Sequence, residues 1–357
     1  MAMKPNQFKE FLRKSWLMMP HRAIFVSGPV GVGKSECVKE VAEELGWELQ
    51  DIRLSLLDPT DLRGLPAIDK EKRQTIWTRP IFLPDTNDTK NRVLFFDEFN
   101  TSMKSMQNGC LQLMLDRCIG EYKLPDNTRV VTAGNRIQDV GGFVSKQSPA
   151  LNNRGIHVEF QTNFDDWKQW AFSHKMHPMV MGYHNFTQGK NLQVYSDKQD
   201  TDNAAFPTPR TWAFLGLPEV KITDTLTQAG VLYIGLDNGT LHEAINGTIG
   251  EGIGNEFTGY LKVYKDLPDP KEILLEGKNI VPKEPNVMYA LCASLVYLVL
   301  EHQDKIDRLI NYSMGIGKDF SVAMIQDMLK TKMRDKMVHS SAAFTKWIRA
   351  NKWVLVE

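Results

Sequence analysis

Eight consecutive residues carry the clearest chemistry in the chain: Gly28, Pro29, Val30, Gly31, Val32, Gly33, Lys34 and Ser35 follow the pattern G-x-x-x-x-G-K-S/T. The glycines let the backbone curl until several N–H groups converge on one point. The positive end of a following helix adds to that field, and together they make a cradle for phosphate. In such a cradle Lys34 reaches the outer phosphates, Ser35 supplies a hydroxyl ligand for Mg²⁺, and Glu36, the next residue, is expected to belong to the nucleotide-binding set. A second cluster follows an apolar run. Arg92-Val-Leu-Phe-Phe ends in Asp97 and Glu98, which suits Asp97 to the magnesium shell and Glu98 to orienting or deprotonating an attacking water. That carboxylate pair favours hydrolysis over transfer to another acceptor. No N-K-x-D guanine-reading motif is present, so the nucleotide expected is ATP.

These residues need a sheet to hold them. Short β-rich apolar runs at 23–26, 47–54, 92–96, 129–133 and 155–160 alternate with helical stretches such as 34–45, in which Val38, Val41 and Leu45 share a face. Such alternation predicts an α/β fold with a parallel five-stranded sheet and crossover helices. Past residue 163 the texture turns Trp- and Met-rich and helical. Helices are expected over 241–267 and 287–310, one or two more over 320–357, and a polar loop over 187–203. The expected organisation is a nucleotide-binding α/β domain over 1–163, a helical lid domain over 164–270 and a helical extension over 271–357.

Composition narrows the setting. Forty-three basic residues balance 43 acidic ones, so no global field draws the chain onto nucleic acid or anionic lipid. The four cysteines, Cys37, Cys110, Cys118 and Cys292, form no C-x-x-C pair, which reads as reduced, intracellular thiols and a cytoplasmic setting. The N-terminal segment, with Lys4, Lys9, Glu10, Arg13 and Lys14 among apolar residues, reads as an amphipathic helix rather than a signal peptide. The longest apolar run, 289–300, falls short of the ~20 residues a membrane span needs.

With both motifs in place, residues 20–215 resemble the AAA+ ATPases, most closely the MoxR-type branch found in bacteria and phages. The fold this implies is a P-loop NTPase αβα core followed by a helical lid domain and a helical C-terminal extension. Val130-Val-Thr-Ala-Gly-Asn135 is similar to the sensor 1 strand, which implies that Asn135 helps hold the attacking water. Pro149-Ala-Leu-Asn-Asn-Arg154 resembles the stretch carrying the arginine finger, so Arg154 is expected to reach a neighbouring subunit's γ-phosphate; Arg136 is the nearest competitor. Phe206-Pro-Thr-Pro-Arg210 is similar to the sensor 2 segment, with Thr208 as N-cap, Pro209 as first helical residue and Arg210 facing the nucleotide. Residues 61–66 with 69–71, and 118–125, look like hairpin insertions that in the family face a central pore or a partner. Thr101 departs from the pattern, since many members carry Arg there.

The resemblance implies a Mg²⁺-dependent ATPase, expected to be a hexameric ring, that remodels a protein partner, often one with a von Willebrand factor A domain. The alternative is a DNA-associated motor or loader. Lys330, Lys332, Arg334 and Lys336, with Trp347 and Trp353 downstream, are the residues that reading would use. They are expected instead to form a solvated helix face.

Overall fold

The computed structural model describes residues 2–71, 73–136, 153, 155–194, 205–217, 238–262 and 266–351. The chain divides into two compact units, Met1–Asn163 and Phe164–Glu357.

In the first unit, β1 (Ala23–Gly28), β2 (Glu48–Arg53), β5 (Arg92–Asp97), β8 (Thr128–Asn135) and β9 (Gly155–Glu159) form one sheet in the order β2-β5-β8-β1-β9. Every pairing in it is parallel. The five strands expected from sequence are these five, with β1 two residues longer and β8 extended at both ends. β5 is apolar on both faces, and the burial explains why. Val93 and Phe95 face a core shared with α1 (Pro5–Met18) and α2 (Lys34–Glu44), while Leu94 and Phe96 face one shared with α4 (Lys104–Leu115). A sheet covered by helices on both sides needs such continuous apolar strands. The result is the αβα layering of a P-loop NTPase.

The N-terminal segment is a helix, as its amphipathic pattern predicts, and buries Phe8, Leu12 and Trp16 against the sheet. The two insertions contain antiparallel ladders. The first places a short helix, α3 (Pro59–Arg63), before the hairpin of β3 (Pro66–Asp69) and β4 (Gln74–Trp77), and the second pairs β6 (Cys118–Ile119) with β7 (Tyr122–Lys123).

The described part of the second unit is helical and packs around Pro285–Glu301, which is buried along most of its length. Two expected helices divide. The apolar period over 241–267 is broken at Gly250, whose φ of +85° separates Asn238–Ile249 from Glu251–Leu261. A left-handed residue cannot continue a right-handed helix, and glycine adopts that conformation at least cost. The stretch 287–310 likewise resolves into Pro285–Glu301 and Ile306–Ser313. Among the described residues the tail holds three helices, where one or two were expected: Lys318–Leu329, Arg334–Ser340 and Ala342–Ala350. The polar stretch expected over 187–203 is described only to residue 194, and 187–194 holds turns but no helix or strand.

Candidate functional site

The site forms where β1, β5 and β8 end at their carboxyl edges, because parallel strands in register deliver their last residues to one place. Gly28 lies opposite Asn135, and Phe96 opposite Thr132. From that edge the chain after β1 turns through Gly31 (φ +71°) and Gly33 (φ +96°) into α2. Both conformations lie in the left-handed region that side chains avoid. Gly28 has a different constraint: a Cβ there would come within 2.7 Å of the Phe160 carbonyl oxygen. The loop is therefore held close to the end of β9 by the absence of a side chain.

Lys34 and Ser35 leave this loop in different directions. The Lys34 ammonium is buried and donates to the carbonyls of Gly28 at 2.9 Å and Pro29 at 2.7 Å, and to Oδ1 of Asn135 at 3.1 Å. The Ser35 hydroxyl donates to Oδ2 of Asp97 at 2.8 Å, across from the end of β5. Glu36 follows in the first turn of α2. The P-loop cation, the loop hydroxyl, the Asp97 carboxylate and the Asn135 carboxamide thus share one edge of the sheet.

Glu98 sits just past β5 with φ +55°, an unusual conformation for a residue with a side chain. The Thr101 N–H donates to the Glu98 carbonyl at 3.1 Å, and three bonds that involve side chains add to this. The Glu98 N–H donates to Oδ1 of Asp97 at 2.8 Å, its carbonyl accepts from the Thr101 hydroxyl at 2.7 Å, and its carboxylate accepts from the Ser55 hydroxyl at 2.8 Å. Ser55 lies just beyond β2, and Asp51 sits within β2. The Asp51 carboxyl is pushed above its ordinary range by burial first and then by the Asp97 and Glu98 charges, with Arg53 pulling the other way. The carboxyl end of β2 therefore carries a negative field even without a ligand.

Sequence reasoning missed Ser55 and Asn100. Ser55 belongs to no motif and meets Glu98 only through the β2–β5 register. Asn100, two residues beyond Glu98, accepts from the Asn135 N–H at 3.1 Å and donates from Nδ2 to the Asn135 carbonyl. The Asx geometry of an isolated Asn gives no hint of so distant a partner. Thr101, where an arginine was looked for, is engaged locally with Glu98.

Arg154 lies outside the described residues, as do residues 149–152 before it. Its competitor Arg136 pairs with Glu159 at 3.3 Å. Arg210 belongs to the second unit, exposed in the first turn of Pro209–Gly216; Thr208 caps that helix by accepting from the Thr211 N–H at 3.1 Å, and Pro209 opens it. In the basic stretch, Lys330 is tied to Asp165 at 2.5 Å and Lys336 donates to the Gln303 carbonyl at 2.8 Å. Trp347 is core, its indole N–H bonded to Ser321 at 2.8 Å. Trp353 lies outside the described residues. An open cavity of about 340 Å³ lies along edge strand β2, lined by Gln50, Asp51, Ile52, Arg53, Leu56, Leu57 and Phe82, and no phosphate-loop residue contributes to it.

The donor set fits ATP with magnesium. Ser35 and Asp97 offer two hard oxygen ligands already within hydrogen-bond distance of each other, the kind that Mg²⁺ selects. Gly31 and Gly33 take left-handed conformations, and nothing lies within 4 Å of where a Cβ of Gly33 would stand. No helix among the described residues is long and apolar enough to cross a membrane.

Residues 23–154 match the family described as the AAA domain, dynein-related subfamily. No curated protein matches the chain. Among solved structures, the RuvB Holliday junction branch migration motor of Thermotoga maritima is 15% identical with a TM-score of 0.38, covering 83% of each chain. A proposed ATPase of Cytophaga hutchinsonii is 12% identical with a TM-score of 0.30, covering 98% of this chain and 94% of its own. Likenesses this distant say nothing of function. Strand order, phosphate loop and the matched domain agree with one another: the N-terminal unit has the P-loop NTPase fold of the AAA+ ATPases.

Proposed function

We propose that this chain hydrolyses ATP with Mg²⁺ and works as one subunit of an oligomeric ring, of hexameric form, that couples turnover to remodelling of a protein partner. The observation that carries the chemical part is the meeting of Lys34 with Asn135 and of Ser35 with Asp97 at the carboxyl edge of one parallel sheet. Loop N–H groups bind the phosphates. Lys34 exchanges its carbonyl partners for the β- and γ-phosphate oxygens, since an ammonium gains more from anions than from neutral carbonyls. Ser35 and Asp97 would hold the magnesium ion, which neutralises charge on the phosphates. Asn135 then fixes the attacking water by hydrogen bonding, and Glu98, released from Ser55, accepts its proton.

Within this reading Arg154 acts in trans on the neighbour's γ-phosphate, where a planar and permanently charged guanidinium suits the developing charge. Arg210 reports on the nucleotide from the lid. The family resemblance supports both roles, the ring, the MoxR-type branch and a partner with a von Willebrand factor A domain. The exposed apolar side chains of the first insertion, Leu65 and Ile68 among them, suit a surface that grips protein rather than phosphate. A DNA-motor reading finds less support: two members of the basic stretch are engaged within the second unit and Trp347 is core.

Mixing subunits tests the ring. Glu98→Gln protomers bind ATP without hydrolysing it, and Arg154→Ala protomers keep Glu98 but lack the finger. Each alone should be nearly inactive. Mixed, they should recover a fraction of parental turnover, because Glu98→Gln subunits lend fingers to Glu98-bearing neighbours. Full activity of Arg154→Ala alone, at any protein concentration, would rule out the trans role.

A further inference from the structure

The backbone of β8 outruns its neighbour. β5 pairs with β8 only as far as Phe96 opposite Thr132, and then turns away through the left-handed Glu98. β1 continues alongside to Asn135. Asn135 therefore ends the strand with no β5 residue opposite it. Its N–H and carbonyl are met instead by one side chain: Oδ1 of Asn100 accepts the N–H at 3.1 Å, and Nδ2 donates to the carbonyl. A carboxamide carries one acceptor and one donor side by side, so it substitutes for the missing strand's peptide.

We propose that Asn100 is a positioning residue for the hydrolytic step, acting through Asn135, and that it rigidly couples the Asp97–Glu98 turn to the water-holding side chain. This rests on the ATPase reading above. Three features converge on it. Asn100 is buried, in a short 3-10 turn (Phe99–Thr101) directly after Glu98, and the turn is pinned by the Thr101 hydroxyl on the Glu98 carbonyl and the Ser102 hydroxyl on the Phe99 carbonyl. Position 134 is glycine, where a Cβ would meet Asn100 Oδ1 at 2.6 Å, so the strand leaves the carboxamide its space. Asn135 in turn places its own Oδ1 3.1 Å from the Lys34 ammonium. A movement of the Glu98 turn is thereby transmitted to the residue on the far side of the attacking water. Only a carboxamide does this at full strength. A carboxylate keeps the acceptor but sets negative charge against the Asn135 carbonyl, and an aliphatic residue leaves both backbone groups unpaired.

The experiment is a double-mutant cycle on the full chain, measuring phosphate release, KM for MgATP and thermal unfolding. Asn100→Ala and Asn135→Ala are each expected to lower kcat by about tenfold to a hundredfold with KM changed less than about threefold, the pattern of a lost transition-state interaction. The double substitution should be no slower than Asn135→Ala alone, because Asn100 acts only through Asn135. Asn100→Asp, matched in size, keeps the fold if the alanine variant does not. Its kcat should rise relative to the parent's as pH is lowered, since protonating the new carboxyl restores the donor. Losses that multiply in the double variant, or an Asn100→Asp rate that follows the parental pH profile, would overturn the proposal while leaving the ATPase reading intact. A parental chain that releases no phosphate would overturn both.

Discussion

At the residue scale, the exposed Glu98 carboxylate accepts a hydrogen bond from the Ser55 hydroxyl at 2.8 Å. Removing that bond in Ser55→Ala should raise basal turnover about two- to fivefold while ATP affinity stays constant, because one exposed hydrogen bond of about 0.5–1 kcal/mol no longer opposes the release of Glu98. Steady-state kinetics of the variant checks this; unchanged turnover would show that the bond does not restrain the carboxylate. Gly28→Ala should cost the loop its form, since the added methyl lies 2.7 Å from the Phe160 carbonyl. ATP binding followed by a fluorescent nucleotide should weaken by at least about tenfold, the consequence of ~1.4 kcal/mol or more of strain.

The contiguous part of this site was legible in the chain. Gly28 to Ser35, and Asp97 with Glu98, lie next to one another in sequence and need only a strand before them. Ser55 and Asn100 were not legible, because their partners are set by the register of β2 on β5 and by the place where β5 stops short of β8. Neither register nor strand ending has a signature in one sequence.

At the scale of elements, the central strands β1, β5 and β8 were legible because a strand buried on both faces must be continuously apolar. Their order in the sheet has no such signature. The helices of the second unit were legible as helical but not in their breaks. Gly250 lies inside an apolar helical period, and only its φ of +85° and the approach of the Ala205 carbonyl to where a Cβ would be, at 2.7 Å, show it as a corner. Gly250→Ala should therefore destabilise the second unit by about 1–3 kcal/mol rather than strengthen a helix. A second element-level feature is the buried ion pair of Lys168 and Asp327 at 2.6 Å, completed by Asn185, whose Nδ2 donates to Asp327 at 2.6 Å. It joins the helices Phe164–Ser173, Pro178–Phe186 and Lys318–Leu329. Lys168→Met leaves Asp327 buried and uncompensated and should cost about 3–5 kcal/mol by chemical denaturation. An unchanged denaturation midpoint would mean that the pair contributes nothing.

At the scale of the molecule, the second unit should be the acid-sensitive part. His184 is wholly buried among the rings of Phe164, Trp167, Tyr183 and Trp212, and neither ring nitrogen has a hydrogen-bond partner among the described residues. Burial pulls it down to about 3, and His177 down to about 4. Both are neutral when folded and take up a proton at an ordinary ~6.5 when unfolded. As pH falls below that value the unfolded state binds more protons, so stability drops by up to about 1.4 kcal/mol per pH unit for each histidine, until the folded-state value is reached. Thermal unfolding from pH 7 downward should show this loss. His184→Phe, which removes one titrating group from an apolar site, should flatten it.

The central claim is hydrolysis at the edge shared by Lys34, Ser35, Asp97, Glu98 and Asn135. It is tested most directly by phosphate release from the full chain at saturating MgATP, compared with Glu98→Gln and with the same chain in excess EDTA. The account predicts steady turnover in the parent, none without magnesium, and a loss of at least about a hundredfold in Glu98→Gln with ATP binding retained. Turnover that survives Glu98→Gln, or a parent that binds ATP and releases no phosphate, would contradict it.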